Sequence, residues 1–176
     1  MTVINIKRNL FFLAVLSLSQ LSVAQNIEFK NTNFKSDKEG LKVAKGNLKI
    51  ADKFRENALL DVFSMQDASL GSESAFLYYQ KAHIFNPNNS DLNYKIASVL
   101  LFTNKKEFAK EYLDKAIYLS EEFPDEFNFF QGMVWQLEGE YGKAVESYQD
   151  FRNNAKKKTV EKYAVLTKKY IQECTS

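Results

Sequence analysis

The sequence predicts an all-α fold made of stacked helical hairpins. The 176 residues include only 2 prolines and 6 glycines, a composition that disfavours a turn-rich all-β chain. Apolar residues follow helical spacing through most of the chain after residue 36. Small residues recur at intervals of 34 and 35 positions, which indicates repeated helical units.

Composition and charge exclude several classes of site. One histidine and one cysteine, His83 and Cys174, cannot assemble a His/Cys metal cluster or a disulfide framework within one chain. The chain has 24 Lys and Arg residues against 22 Asp and Glu residues, and Lys7 and Arg8 account for the excess. Because the rest of the chain is balanced, there is no global electrostatic case for nucleic-acid binding. We expect neither a metal nor another cofactor.

Residues 1–24 are typical of a secretory signal peptide. Lys7 and Arg8 form a positively charged segment, an apolar run follows at residues 10–18, and residues 22–24 are small enough for signal peptidase. The alternative is an uncleaved membrane anchor. It is disfavoured because the apolar stretch is shorter than the roughly 20 residues that span a bilayer. We therefore expect an exported protein.

Residues 25–40 are predicted to form an extended leader that ends where the helical region starts. The leader is polar apart from isolated Ile27, Phe29 and Phe34. Ser36 and Glu39 have the spacing of a capping box, in which each side chain satisfies a free amide at a helix start.

Residues 41–152 are predicted to contain three helical hairpins. Each hairpin repeats one pattern of buried positions on its second helix: Ala75, Tyr79 and Ala82; Ala109, Leu113 and Ala116; Ala144, Tyr148 and Phe151. Turns are predicted at residues 68–71, 86–89, 103–105, 122–124 and 139–140. The first hairpin has 12 extra residues within positions 55–74, as a longer helix or a longer loop. A hairpin cannot bury its apolar face alone, so stacking makes the core.

Residues 153–176 are predicted to form a capping helix. Val160, Tyr163, Thr167, Tyr170 and Cys174 fall on one helical face, with lysines flanking or opposing it. A solenoid needs a terminal element with one apolar and one solvated side, and this segment fits that role.

The repeats resemble the tetratricopeptide repeat family. The resemblance is carried by small and aromatic residues of the three hairpins: Ala75, Tyr79, Ala82, Pro87, Ala97, Leu100, Ala109, Leu113, Ala116, Gly132, Trp135, Gly139, Tyr141, Ala144 and Tyr148. More narrowly, the signal peptide, leader and repeats look like the amino-terminal module of Bacteroidota envelope proteins that carry OmpA-like domains. That likeness implies a periplasmic or outer-membrane-associated protein.

The family resemblance implies a ligand surface in the concave groove lined by the first helix of each hairpin. Carried over by position, the groove residues are Asp52, Arg55, Tyr94, Ser98, Leu101, Glu126, Phe129, Met133 and Gln136. These positions lack the Lys, Arg and Asn set with which one subclass clamps a terminal carboxylate. A groove with aromatic and Met side chains suits an apolar segment of another protein. The alternative is that Tyr94 and Phe129 only pack between adjacent hairpins.

No pattern in the sequence points to catalysis. His83 lies near a predicted helix end without triad partners in the nearby sequence, and Cys174 lies on an apolar helical face. The acidic pair Asp125 and Glu126 follows Pro124 in a first helical turn, where the helix dipole favours negative charge. Glycine-rich phosphate loops and nucleophile elbows are absent from the sequence.

We therefore predict a non-catalytic protein-interaction module of the cell envelope, an adaptor or assembly scaffold. The alternative function is a structural spacer in a peptidoglycan-associated complex, without a ligand of its own. Charge is segregated along the chain: residues 116–142 are acidic and residues 143–176 are rich in lysine. These lysines could also contact anionic lipid at a membrane surface.

Overall fold

The computed structural model describes residues 25–176, which are helical through most of their length. The helices are α1 Lys38–Phe63, α2 Ser69–Phe85, α3 Ser90–Leu100, a 3-10 turn Lys106–Phe108, α4 Ala109–Leu119, α5 Phe127–Leu137, α6 Tyr141–Asn154 and α7 Lys157–Thr175. The predicted all-α fold is confirmed. The predicted signal peptide, residues 1–24, lies outside the described residues. None of the described helices combines the length and apolar composition that crossing a membrane requires.

α1 starts one residue away from the position that the capping-box spacing predicted. Asp37, rather than Ser36, is the N-cap, and its Oδ1 accepts a hydrogen bond from the backbone N–H of Gly40 at 2.8 Å. α1 is 26 residues long, so the extra residues of the first hairpin lengthen the helix. Its buried Ala58 lies against Gly71 of α2, where a Cβ would come within 3.1 Å of the alanine methyl.

The leader is held against the turn between α2 and α3. The carbonyl oxygen of Ile27 accepts hydrogen bonds from the Nδ2 atoms of Asn86 and Asn89 at 2.7 and 3.0 Å. The ring of Phe34 lies 4.8 Å from that of Phe85 at the end of α2. The asparagine-rich turn therefore fixes the leader as well as separating two helices.

Consecutive helices pack as pairs, α1 with α2, α3 with α4, and α5 with α6. Small residues predicted for close helix approach are buried where the pairs meet, including Ala75, Ala109 and Ala144. At Gly132 of α5, a Cβ would lie 2.6 Å from the ring of Tyr148 in α6, so only glycine fits there without a shift. This packing is compatible with a helical solenoid.

α7 packs against α6 and also reaches α1 and α5. The ring of Tyr163 lies 4.8 Å from Phe63 of α1, 4.7 Å from Phe129 of α5 and 5.5 Å from Phe151 of α6. α7 therefore does more than cover the end of the last hairpin, because it connects the last hairpin to the first helix.

Candidate functional site

The nine residues predicted to line a groove divide between the interior and the surface. Tyr94, Ser98 and Phe129 are buried, with 1%, 1% and 0% of their surface exposed. The other six are half-buried: Asp52, Arg55, Leu101, Glu126, Met133 and Gln136. Tyr94, Ser98 and Phe129 therefore offer no surface to a partner in this structure.

Phe129 is buried because aromatic rings surround it. The rings of Phe130, Tyr148, Phe151 and Tyr163 lie 4.7–5.8 Å from the Phe129 ring. We call these five residues the aromatic core. Since Tyr163 belongs to α7, the last helix itself covers the position that the sequence suggested for a partner. The packing alternative describes the place of Phe129.

Tyr94 lies beside this core. Its ring is 5.8 Å from that of Phe127 and 6.0 Å from that of Phe130, and burial raises the pKa of its hydroxyl well above the usual value. The hydroxyl forms no hydrogen bond with the described residues. Tyr94 is thus a packing residue with a polar atom left over.

A cleft of about 460 Å³ lies between α1, α3, α7 and the residue preceding α5. We call it the charged cleft, and its charged lining residues are Asp52, Arg55, Glu56, Lys95, Glu126, Lys158 and Lys162. Three predicted groove residues, Asp52, Arg55 and Glu126, therefore meet in one site. The other six do not line the cleft; Gln136, for example, donates from Nε2 to a carboxylate oxygen of Glu173 at 3.1 Å.

Arg55 is the most enclosed cation of the cleft, with 13% of its side chain exposed. Its Nε donates a hydrogen bond to the hydroxyl of Ser98 at 2.9 Å, and its Nη2 lies 3.6 Å from Oε1 of Glu126. The guanidinium carbon lies 5.7 Å from the ring centre of Tyr94 and 5.8 Å from that of Phe130. Because Nη2 makes no hydrogen bond with the described residues, Arg55 is fixed and keeps donor capacity.

Lys95 is held by two carboxylates at the side of the cleft. Its Nζ lies 3.1 Å from Oδ1 of Asp52 and 3.0 Å from Oδ2 of Asp91. Burial works against the charge of Lys95, but the two carboxylates together outweigh it and hold its pKa above the usual value. The hydroxyl of Tyr79 donates to Oδ1 of Asp52 at 2.7 Å, which fixes the carboxylate from the other side.

Lys158 and Lys162 bring two further cations from α7. Both are exposed, and neither forms an ion pair with any residue from 25 to 176. The ammonium of Lys162 lies 4.7 Å from the ring centre of Phe63. The cleft thus combines internally held charges with two lysines free to pair with another molecule.

His83 and Cys174 lie apart from the charged cleft. Nε2 of His83 is 3.2 Å from Oδ1 of Asn93, its ring meets Tyr112 edge-on at 5.4 Å, and burial lowers its pKa. Cys174 is half-buried on α7, and burial raises the pKa of its thiol. Within residues 25–176, three or more His, Cys, Asp or Glu side chains nowhere gather in an arrangement that could hold a metal ion.

The sequence analysis missed the cleft residues Lys95, Lys158 and Lys162. Lys158 and Lys162 are four residues apart, so they share a helical face next to Tyr163. Lys95 follows Asp91 at the same spacing. These spacings were readable, but they do not by themselves indicate that α7 lies opposite α1.

Comparison of the chain with protein-family models, with curated proteins and with solved structures finds no match in any of the three. The chemistry of the site is therefore argued from its own geometry. The charged cleft presents both signs of charge in a fixed arrangement, which suits recognition of polar groups on another molecule.

Proposed function

We propose that this chain is a non-catalytic protein-interaction module that holds a segment of a partner protein in the charged cleft, as an adaptor or assembly scaffold. The observation that carries the proposal is the fixed position of Arg55 and Lys95 beside two unpaired lysines of α7. A site whose side chains are already held in place loses less conformational entropy on binding.

The proposal includes a fold family and a compartment. The paired helices and the small residues at their crossings support a tetratricopeptide-type solenoid. The signal-peptide pattern at residues 1–24 supports export to the cell envelope. A partner protein of the envelope follows from these two assignments.

The chemistry of the cleft points to a polar partner segment. The aromatic side chains Tyr94 and Phe129, which suggested an apolar ligand, are buried in the core. An acidic group of the partner would face Arg55 and the two α7 lysines, and a basic group would face Glu56 or Glu126. Such complementarity favours the correct partner and register more than it adds affinity.

A structural spacer is the second candidate function. The burial of Tyr94 and Phe129 favours it, because the aromatic residues of the predicted groove serve packing instead. In that case the charged cleft has no ligand, and the protein acts through its length and its ends.

The test is capture of a partner by the chain from residue 25 onward in an envelope extract. The informative variant is Lys158→Glu with Lys162→Glu, since both lysines are exposed and line the cleft. Lys106→Glu, in the exposed 3-10 turn away from the cleft, is the matched control. We expect the double variant to bind a discrete partner at least about tenfold more weakly, while the control binds normally.

Two other outcomes oppose the proposal. A partner that binds the wild type and the double variant equally would remove the cleft as the binding site. Absence of any partner at concentrations that capture known envelope complexes would favour the spacer.

A further inference from the structure

α7 also borders a groove on the side away from the charged cleft. This groove has a volume of about 460 Å³ and lies between α6 and α7. We call it the terminal groove, and it is lined mainly by Arg152 of α6 and by Val160, Ala164, Thr167, Lys168 and Ile171 of α7. Val160, Ala164 and Ile171 share one face of α7, so the floor is an apolar stripe about three turns long.

The terminal groove follows the one long helix without a pairing partner. α2 packs on α1, α4 on α3, and α6 on α5, whereas no helix in the described part of the chain pairs with α7 in this manner. An elongated apolar groove beside an unpaired helix has the shape that an amphipathic helix fills.

The charges at the groove restrict what fills it. The charged side chains that line it, Arg152 and Lys168, are both cationic. Neither forms an ion pair within residues 25–176. A second copy docked there through the same face would bring the same two cations against them, which disfavours self-association.

We propose that the terminal groove binds an amphipathic helix of a partner protein whose apolar face is flanked by acidic residues. The apolar side chains of that helix cover Val160, Ala164 and Ile171, and its acidic residues pair with Arg152 and Lys168. The proposal is independent of the charged cleft, since the two surfaces share no lining residue.

The experiment uses two synthetic amphipathic helices of about 18 residues, long enough for five turns. Both carry Leu along one face; one has Glu on the flanks, and the other has Lys at the same positions. Binding to the chain from residue 25 onward is measured by fluorescence anisotropy. We expect the Glu peptide to bind at least about tenfold more tightly than the Lys peptide.

Two variants make the test specific. Arg152→Glu with Lys168→Glu reverses the preference between the peptides. Ala164→Trp fills the groove without changing charge and abolishes binding of the Glu peptide; Ala164 is exposed, so the larger side chain is tolerated. Lys106→Glu leaves both affinities unchanged, and thermal melting verifies that each variant is folded.

Several results would overturn the proposal. Equal affinity for the two peptides, or no binding of either, would show that the groove does not recognise an acidic helix. A dimer that Ala164→Trp dissociates would assign the groove to a second copy. Binding to vesicles of anionic lipid, lost in Arg152→Glu with Lys168→Glu while neither peptide binds, would assign it to a membrane surface.

Discussion

The aromatic core and the charged cleft lie side by side on the same helices, yet they differ in what they do. In the aromatic core, Phe129 is fully buried and ringed by four aromatic side chains from α5, α6 and α7. In the cleft, Lys158 and Lys162 remain exposed and without ion pairs in the described residues. The comparison indicates that the first supplies stability and the second supplies a surface for recognition.

Two residues connect these regions. Tyr163 contributes its ring to the core and also lines the cleft. Arg55 places its guanidinium near the rings of Tyr94 and Phe130 while its Nη2 faces Glu126. Substitutions should therefore grade from strongly destabilising in the core to nearly neutral at the cleft rim.

The largest effect is expected from Phe129→Ala. Removing a buried ring leaves a cavity, and we expect the free energy of unfolding to fall by about 3–5 kcal/mol. Urea denaturation measures this, with Met133→Ala on the same helix as a half-buried control that should lose less. A loss under about 1 kcal/mol for Phe129→Ala would mean that the ring is not a packing residue.

A smaller loss, of about 2 kcal/mol, is expected from Arg55→Gln. The change removes the hydrogen bond to Ser98 and the ion pair with Glu126. Urea denaturation again measures the loss, and Arg55→Lys is the sharper comparison, because it keeps the charge but cannot reproduce the guanidinium geometry. If Arg55→Lys were as stable as the wild type, charge alone would explain the role of this residue.

Gly132→Ala is expected to destabilise by about 1–2 kcal/mol, because the new Cβ would overlap the ring of Tyr148. Gly46→Ala is the matched control. Gly46 lies in the exposed middle of α1, and no neighbouring side chain comes within 4 Å of the place that a Cβ would take. Alanine there should therefore stabilise by about 0.5–1 kcal/mol. Thermal melting that shows the same sign for both variants would contradict the close approach of α5 and α6.

Lys158→Glu with Lys162→Glu should have the smallest effect on stability, within about 0.5 kcal/mol of the wild type. Both side chains are exposed and form no ion pair among the described residues, so little folding energy depends on them. Denaturation of the double variant beside the wild type tests this. A large loss would mean that the cleft lysines belong to the structural core.

The sequence predicted the helices and their crossings better than it predicted the site. Ala75, Ala109 and Ala144 were found because close helix packing leaves a regular pattern of small residues within each unit. Phe129 and Tyr94 were placed in a groove by position, yet their exposure depends on what covers the first helices. That is decided by the position of α7, a contact between distant segments that no local spacing records.

The most direct test of the charged cleft as the binding site is photo-crosslinking in intact cells. A benzophenone amino acid replaces Lys158 in the cleft or, separately, Lys106 in the exposed 3-10 turn. We expect one discrete crosslinked partner from position 158 and none from position 106. Crosslinking from position 106 with none from position 158 would contradict the assignment of the cleft.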